Sequence, residues 1–134
     1  MQAELQTATA SGKLLWTGRI LSILAVLFLL FDAVAHLLKP APVVQAFHQL
    51  GFPLSLSIDL GIIQLICVLV YVIPRTAILG AVLITGYLGG AVAIHMRVGN
   101  PVFECLFPIL IGILFWAGLL LRDIRLRAIF PIGY

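Results

Sequence analysis

Asp32 and His36 stand four residues apart inside an otherwise apolar run, LFLLFDAVAHLLKP. On a helix that spacing stacks the two side chains one turn apart. The pair suits proton transfer, with the carboxylate orienting an imidazole that accepts or donates a proton near neutral pH. Ionisable groups within a lipid-spanning run are costly and mark functional positions. The structural alternative is an ion pair between Asp32 and Arg97 that only locks two helices together. Arg97 carries the planar fork that grips a carbonyl, carboxylate or phosphate of a ligand, or else it snorkels to lipid headgroups from its helix end. Gln64, near mid-span, either hydrogen-bonds a ligand carbonyl or serves as interhelical glue worth about 1 kcal/mol.

Tyr71 and His95 complete the ligand-binding candidates. Ser57, Gln64 and Tyr71 repeat every seven residues as one helical stripe, with Cys67 close by. His95 lies about 200° around its helix from Arg97, so the two cannot share one cavity unless the helix end unwinds. That assigns His95 an interfacial or supporting place. Asp59 and Glu104 fall where helices begin and suit the positive helix end, and His48 reads as a solvated loop residue. A metal site could be drawn from Asp32, His36, His95 and Glu104 by residue type, but nothing in their spacing demands one and none is assigned. Cys67 and Cys105 fall at different depths and form no metal or dithiol motif.

The elements that must position these residues are transmembrane helices. Hydrophobic residues make up 63% of the 134, charged residues 10%, and the mean hydropathy is +1.21, a balance that excludes a water-soluble domain. Four runs, Leu15–Leu38, Leu54–Ile73, Thr76–Arg97 and Phe103–Leu121, are each near the ~20 residues that a bilayer requires. Only helices satisfy their own backbone there, which predicts an all-α, four-helix integral membrane bundle. Lys39, Pro40 and Pro42, then Pro74 and Arg75, then Gly99, Asn100 and Pro101 separate the runs. The segment between Lys39 and Pro53, with Val43, Val44, Phe47 and Leu50, reads as a short amphipathic helix on the outer interface.

Lys13, Arg19, Arg75, Arg122, Arg125 and Arg127 fall on one side of these runs, against Lys39 and Arg97 on the other. The positive-inside rule then places both termini in the cytoplasm. The net charge of +3 is thus a topology signal and excludes nucleic-acid binding. The first run is too long for a signal core, lacks a clean cleavage site and reads as retained. Residues 1–12 form a polar N-terminal tail, and 13–134 a single transmembrane domain. The polar residues within the runs cluster toward the outer side, so the expected pocket opens outward. Its walls are the Asp32 seam, the Gln64 stripe and the face carrying Gly86, Gly90, Ala93 and Arg97, where small residues permit close helix approach. The inner half is expected to be apolar apart from its terminal arginines.

The segments LFLLFDAVAHLLKP, PAPVVQAFHQLGFP and the long run from Ile73 to Asp123, above all GYLGGAVAIHMRVG (Gly86–Gly99), resemble the DoxX-like family of small four-helix membrane proteins. The resemblance covers roughly Thr17–Phe130. It implies a multi-pass bundle in a bacterial cytoplasmic (inner) membrane, and some relatives are tied to membrane redox chemistry, including quinone-linked sulfur oxidation, while others assist assembly. One departure is Gln64, where the resemblance implies a Glu in the second helix.

Together these readings point to a protein that binds a small amphiphile such as a quinone in an outward-facing polar pocket, as a redox subunit whose electrons come from a membrane redox partner. The alternative is a non-catalytic scaffold or assembly factor for a partner protein. The glycine face also allows a homo-oligomer. A transporter is disfavoured, since four short helices without an inverted repeat offer no continuous polar path.

Overall fold

The computed structural model describes residues 2–130 and holds no strand among them. Its helices are α1 (Gln2–Leu38), α2 (Ala41–Leu50), α3 (Leu56–Val72), α4 (Ala77–Arg97), α5 (Val102–Arg122) and α6 (Ile124–Ile129). Most of the expected tail, namely residue 1 and the side chains of 2–11, lies outside the described residues.

Proline and left-handed backbone set the joints. α1 stops where Lys39 turns left-handed (φ 52°) ahead of Pro40, whose ring cannot continue a helix. α2 starts with Pro42 in its first turn and ends on Gly51 at φ 74°, where the N–H groups of Gly51 and Phe52 return to the His48 and Phe47 carbonyls. Gly99, at φ 72°, turns the chain between α4 and α5.

The four long helices close into a ring, α1 packing on α3 and α5, and α4 packing on α3 and α5. Three segments, Gly12–Leu38, Ala77–Arg97 and Val102–Arg122, are long and apolar enough to cross a membrane. The expected second span, Leu54–Ile73, is shorter as a helix. α3 holds 17 residues, about 25 Å at ~1.5 Å per residue, because Pro53–Ser55 and Ile73–Thr76 are drawn into turns.

Side chains as large as Trp16, Phe31, Leu69 and Ile113 stand exposed on the outer faces. Such a surface is unfavourable in water and matched to hydrocarbon. The core between the helices is built from Ala25, Leu29, Val68, Tyr71, Ala81, Ile84, Phe115 and Leu119. Glycine lets two of the crossings come close. A Cβ on Gly18 would stand 2.8 Å from the Gly118 carbonyl, and one on Gly80 would run into the backbone of Tyr71.

The end of the bundle near Tyr71 and Arg122, expected to be the inner one, differs from the apolar interior expected there. Tyr71, fully buried, donates its hydroxyl proton to the Phe115 carbonyl (3.0 Å) and accepts from Ser22 Oγ (2.9 Å). Arg122 Nε donates to the same Ser22 oxygen at 3.1 Å, and its guanidinium lies 5.2 Å from the Tyr71 ring centroid. The arginine thus folds back into the bundle and joins α1, α3 and α5 by one polar cluster. Tyr71→Phe removes the shared hydroxyl and is expected to cost about 1–2 kcal/mol, read as a lower thermal midpoint in detergent with the helical circular dichroism signal unchanged.

Candidate functional site

The stripe on α3 sets the geometry of the outer half. Ser57, Gly61 and Gln64 lie at i, i+4 and i+7, and all three are buried against α1. Ser57 Oγ donates to the His36 carbonyl (2.6 Å), one of the groups left open by the end of α1. A Cβ on Gly61 would already stand 3.1 Å from the Ala33 carbonyl oxygen and from His36 Cβ, so this glycine sets the spacing of the two helices beside the histidine.

Gln64, only 1% exposed, makes three hydrogen bonds that join three helices. Its Nε2 donates to Asp32 Oδ2 (3.0 Å) and to the Leu29 carbonyl (3.2 Å), and its Oε1 accepts from the Tyr87 hydroxyl at 3.2 Å. A neutral amide can donate to a carboxylate and accept from a phenol at once, which an ionised Glu cannot do. The expected proton pair takes a related form. His36 Nδ1 donates to the backbone carbonyl of Asp32 (2.8 Å), with the carboxylate Oδ2 3.5 Å away. Because a carbonyl only accepts, Nδ1 carries the proton and Nε2 is left as the acceptor. The ring meets Phe47 edge-on at 5.8 Å.

Asp32, His36 and Tyr87 border a cavity of about 560 Å³ in the half of the bundle nearer α2, with Gln64 buried behind them, within the range of pockets that take small organic ligands. α1 contributes Phe28, Asp32 and His36, and α5 contributes Phe107 and Ile111. α4 contributes Gly86, Tyr87, Gly90, Ala91, Ile94 and His95. α2 lies across the cavity as a roof, presenting Val43, Ala46, Phe47 and Leu50 at i, i+3, i+4 and i+7. Gly86 and Gly90 have open space where a Cβ would stand, so on this face the small residues widen a cavity and do not bring a helix closer.

Three of the expected ligand-binding residues are not on the lining: Gln64 is buried behind Asp32 and Tyr87, and Arg97 and Tyr71 lie elsewhere. Arg97 is exposed and sits at the end of the roof, donating Nη2 to the Leu50 carbonyl at 2.5 Å with its guanidinium 5.7 Å from the Phe52 ring centroid. It does not pair with Asp32. Although it shares the Gly86–Gly90 face, it lies two turns beyond Gly90 and meets the C-terminal end of α2. Tyr71 belongs to the inner cluster. His95 does line the cavity, its Nδ1 accepting from Asn100 Nδ2 (2.7 Å) with Glu104 Oε2 4.0 Å away. Arg97 and His95 thus diverge, as their angular separation on the helix requires.

Asp59 and Glu104 stand in the first turns of α3 and α5, and His48 is exposed on α2. Among the described residues no three of His, Cys, Asp and Glu gather to hold a metal ion. A second, shallower hollow of about 420 Å³ between α4 and α5 is lined by Thr85, Gly89, Gly112 and Trp116 among others and holds no titratable residue.

The DoxX-like family model matches residues 20–118. The chain belongs to the DoxX-like family. No curated protein and no solved structure gave a match. Family membership and the long apolar helices together make this DoxX-like chain an integral, multi-pass membrane protein whose outer faces contact lipid.

Sequence reasoning on this DoxX-like chain passed over Tyr87 and Asn100. A phenol hydroxyl inside a membrane helix needs a partner, and Tyr87 stands at i−3, i−4 and i−7 from Gly90, Ala91 and Ile94. That phase was a usable signal. Asn100 sits in a turn and reaches His95 only through the fold of that turn.

Proposed function

We propose that this chain crosses the membrane four times, with both termini in the cytoplasm of a bacterial cell. On this reading it takes the polar head of a small amphiphile, a quinone first among them, into the cavity beneath α2. The observation that carries the reading is the hydrogen-bonded series Asp32–Gln64–Tyr87, whose two ends stand with His36 and His95 on the lining of a largely apolar cavity, the combination of apolar enclosure and few placed polar groups that ligand sites use. Three of its four helices meet the length for crossing, and the excess of arginine at the α1 start and α5–α6 end supports the orientation.

Quinone chemistry moves an electron pair and a proton pair at the ring oxygens. The electrons pass between the amphiphile and a membrane redox partner. Of the two protons, this chain handles one at His36, and the other passes to or from water at the partner. His36, with Nδ1 fixed on the Asp32 carbonyl, offers Nε2 as a base. Asp32 supplies the charge that stabilises the imidazolium, 3.5 Å from its Nδ1, and the apolar walls exclude water.

Asp32→Asn keeps an oxygen for the Gln64 amide while removing the charge, so the fold is expected to survive. Mass spectrometry of small molecules extracted from the gently purified protein should show at least about a tenfold loss of retained amphiphile, equivalent to ~1.4 kcal/mol. Retention equal to that of the natural protein would sink the reading.

The scaffold reading draws on the same contacts, since Gln64 ties α1, α3 and α4 together. It expects stable association with another membrane protein and only bulk lipid in the extract, with Asp32→Asn lowering the thermal midpoint and dissolving the complex together.

A further inference from the structure

We infer that the cavity selects a head that donates hydrogen bonds, so that among quinone-type amphiphiles it holds the reduced, dihydroxy ring in preference to the dione. This rests on the proposal that the cavity takes such a head, and it follows from a count of which hydrogen-bonding functions the lining leaves open. The polar side chains on the lining are those of Asp32, His36, Tyr87 and His95.

Asp32 is acceptor-only when ionised. Its Oδ2 takes the Gln64 amide, and the carboxylate keeps further lone pairs for a ligand. His36 has committed its proton to the Asp32 carbonyl, leaving Nε2 as an acceptor. Tyr87 has committed its only proton to Gln64 Oε1, leaving its oxygen as an acceptor. His95 runs the other way. Asn100 Nδ2 donates to its Nδ1, so the neutral ring carries its proton on Nε2 and offers one donor.

Three acceptors thus face one donor, and no Lys or Arg lies on the lining. The arginine that would have reversed this balance, Arg97, is off the lining, with its Nη2 on the Leu50 carbonyl at the end of α2. A dione brings acceptors alone. Placed here it would satisfy His95 and oppose the lone pairs of Asp32, His36 and Tyr87, leaving desolvated acceptors unpaired. A dihydroxy ring has two protons to give to those same groups and still accepts from His95. Sites that hydrogen-bond a ligand hydroxyl discriminate steeply against an analogue that lacks it.

The test is equilibrium binding of a short-tailed benzoquinol, kept reduced under argon, and of the matching benzoquinone to the full chain in lipid nanodiscs. The diol should bind at least tenfold more tightly than the dione. Tyr87→Phe removes one acceptor and should narrow that ratio at least threefold, while Gly89→Ala, on the same helix but off the lining, should leave it unchanged. Equal binding, or tighter binding of the dione, would overturn the inference and leave the amphiphile site standing. If neither form binds above bulk lipid partition, the site itself is wrong and the inference falls with it. A ratio that Tyr87→Phe leaves as it was would also count against it, by showing that this acceptor does not meet the head.

Discussion

Gly80→Ala is expected to destabilise the bundle by about 3 kcal/mol or more, beyond the usual cost of a methyl group forced into a packed interior. The added Cβ would run into the N and Cα atoms of Tyr71. A side chain could rotate away, but backbone cannot, so α3 and α4 would have to separate at their shared hairpin. That separation also pulls Tyr71 from the Phe115 carbonyl and Ser22, and the inner polar cluster should fail with it. The matched control is Gly89→Ala on the same helix, where nothing lies within 4 Å of the added Cβ. There the more restricted residue should raise stability by about 0.5–1 kcal/mol, the ordinary difference between glycine and alanine in a helix. Thermal midpoints of both variants in one detergent check the pair. A Gly80→Ala protein as stable as the natural one would mean that α3 and α4 do not approach as described.

Gln64→Leu should be nearly as severe, at about 3 kcal/mol. Leucine has the volume but leaves the Tyr87 hydroxyl without an acceptor and Asp32 without its amide donor; an orphaned buried group costs about 1–3 kcal/mol, and the half-exposed Asp32 carboxylate falls at the low end of that range. Membrane interiors soften such losses because the opened state finds other partners, which keeps the sum from growing further. Adding Tyr87→Phe to Gln64→Leu removes one of the two orphans. The double variant should therefore recover about 1 kcal/mol relative to Gln64→Leu alone, although it carries one more substitution. Additive losses in that cycle would show that Gln64 and Tyr87 are not coupled.

The helical runs and their breaks were legible because both follow from local chemistry. Apolar runs near twenty residues long in a chain with so few charges leave little alternative to helix, and Pro40, Pro74 and Pro101 punctuate them. The short helix after Lys39 was legible from the spacing of Val43, Phe47 and Leu50, yet its role as a roof was not, since seating it depends on His36 and Phe47 meeting across two elements. The buried stripe of Ser57, Gln64 and Tyr71 emerged from phase alone.

Phase failed where height mattered as well. Arg97 shares an angle with Gly90 but lies at the C-terminal end of α2, and Tyr71 shares a stripe with Gln64 but sits two turns further in, among Ser22 and Arg122. The inward fold of Arg122 was hidden because a terminal arginine reads equally well as a headgroup contact. The length of α3 was overstated because turn residues such as Leu54 and Ile73 are as apolar as the helix they flank.

The roof over the cavity is fastened at both ends. Two residues, Lys39 and Pro40, join it to α1, and the Arg97–Leu50 hydrogen bond pins its far end to α4. On the proposed reading, with α2 across one end of the cavity, an amphiphile held there is expected to exchange sideways with the surrounding hydrocarbon. Its occupancy is then governed by its mole fraction among the lipids, and diluting the sample with buffer should leave it filled, whereas diluting it with empty vesicles should drain it.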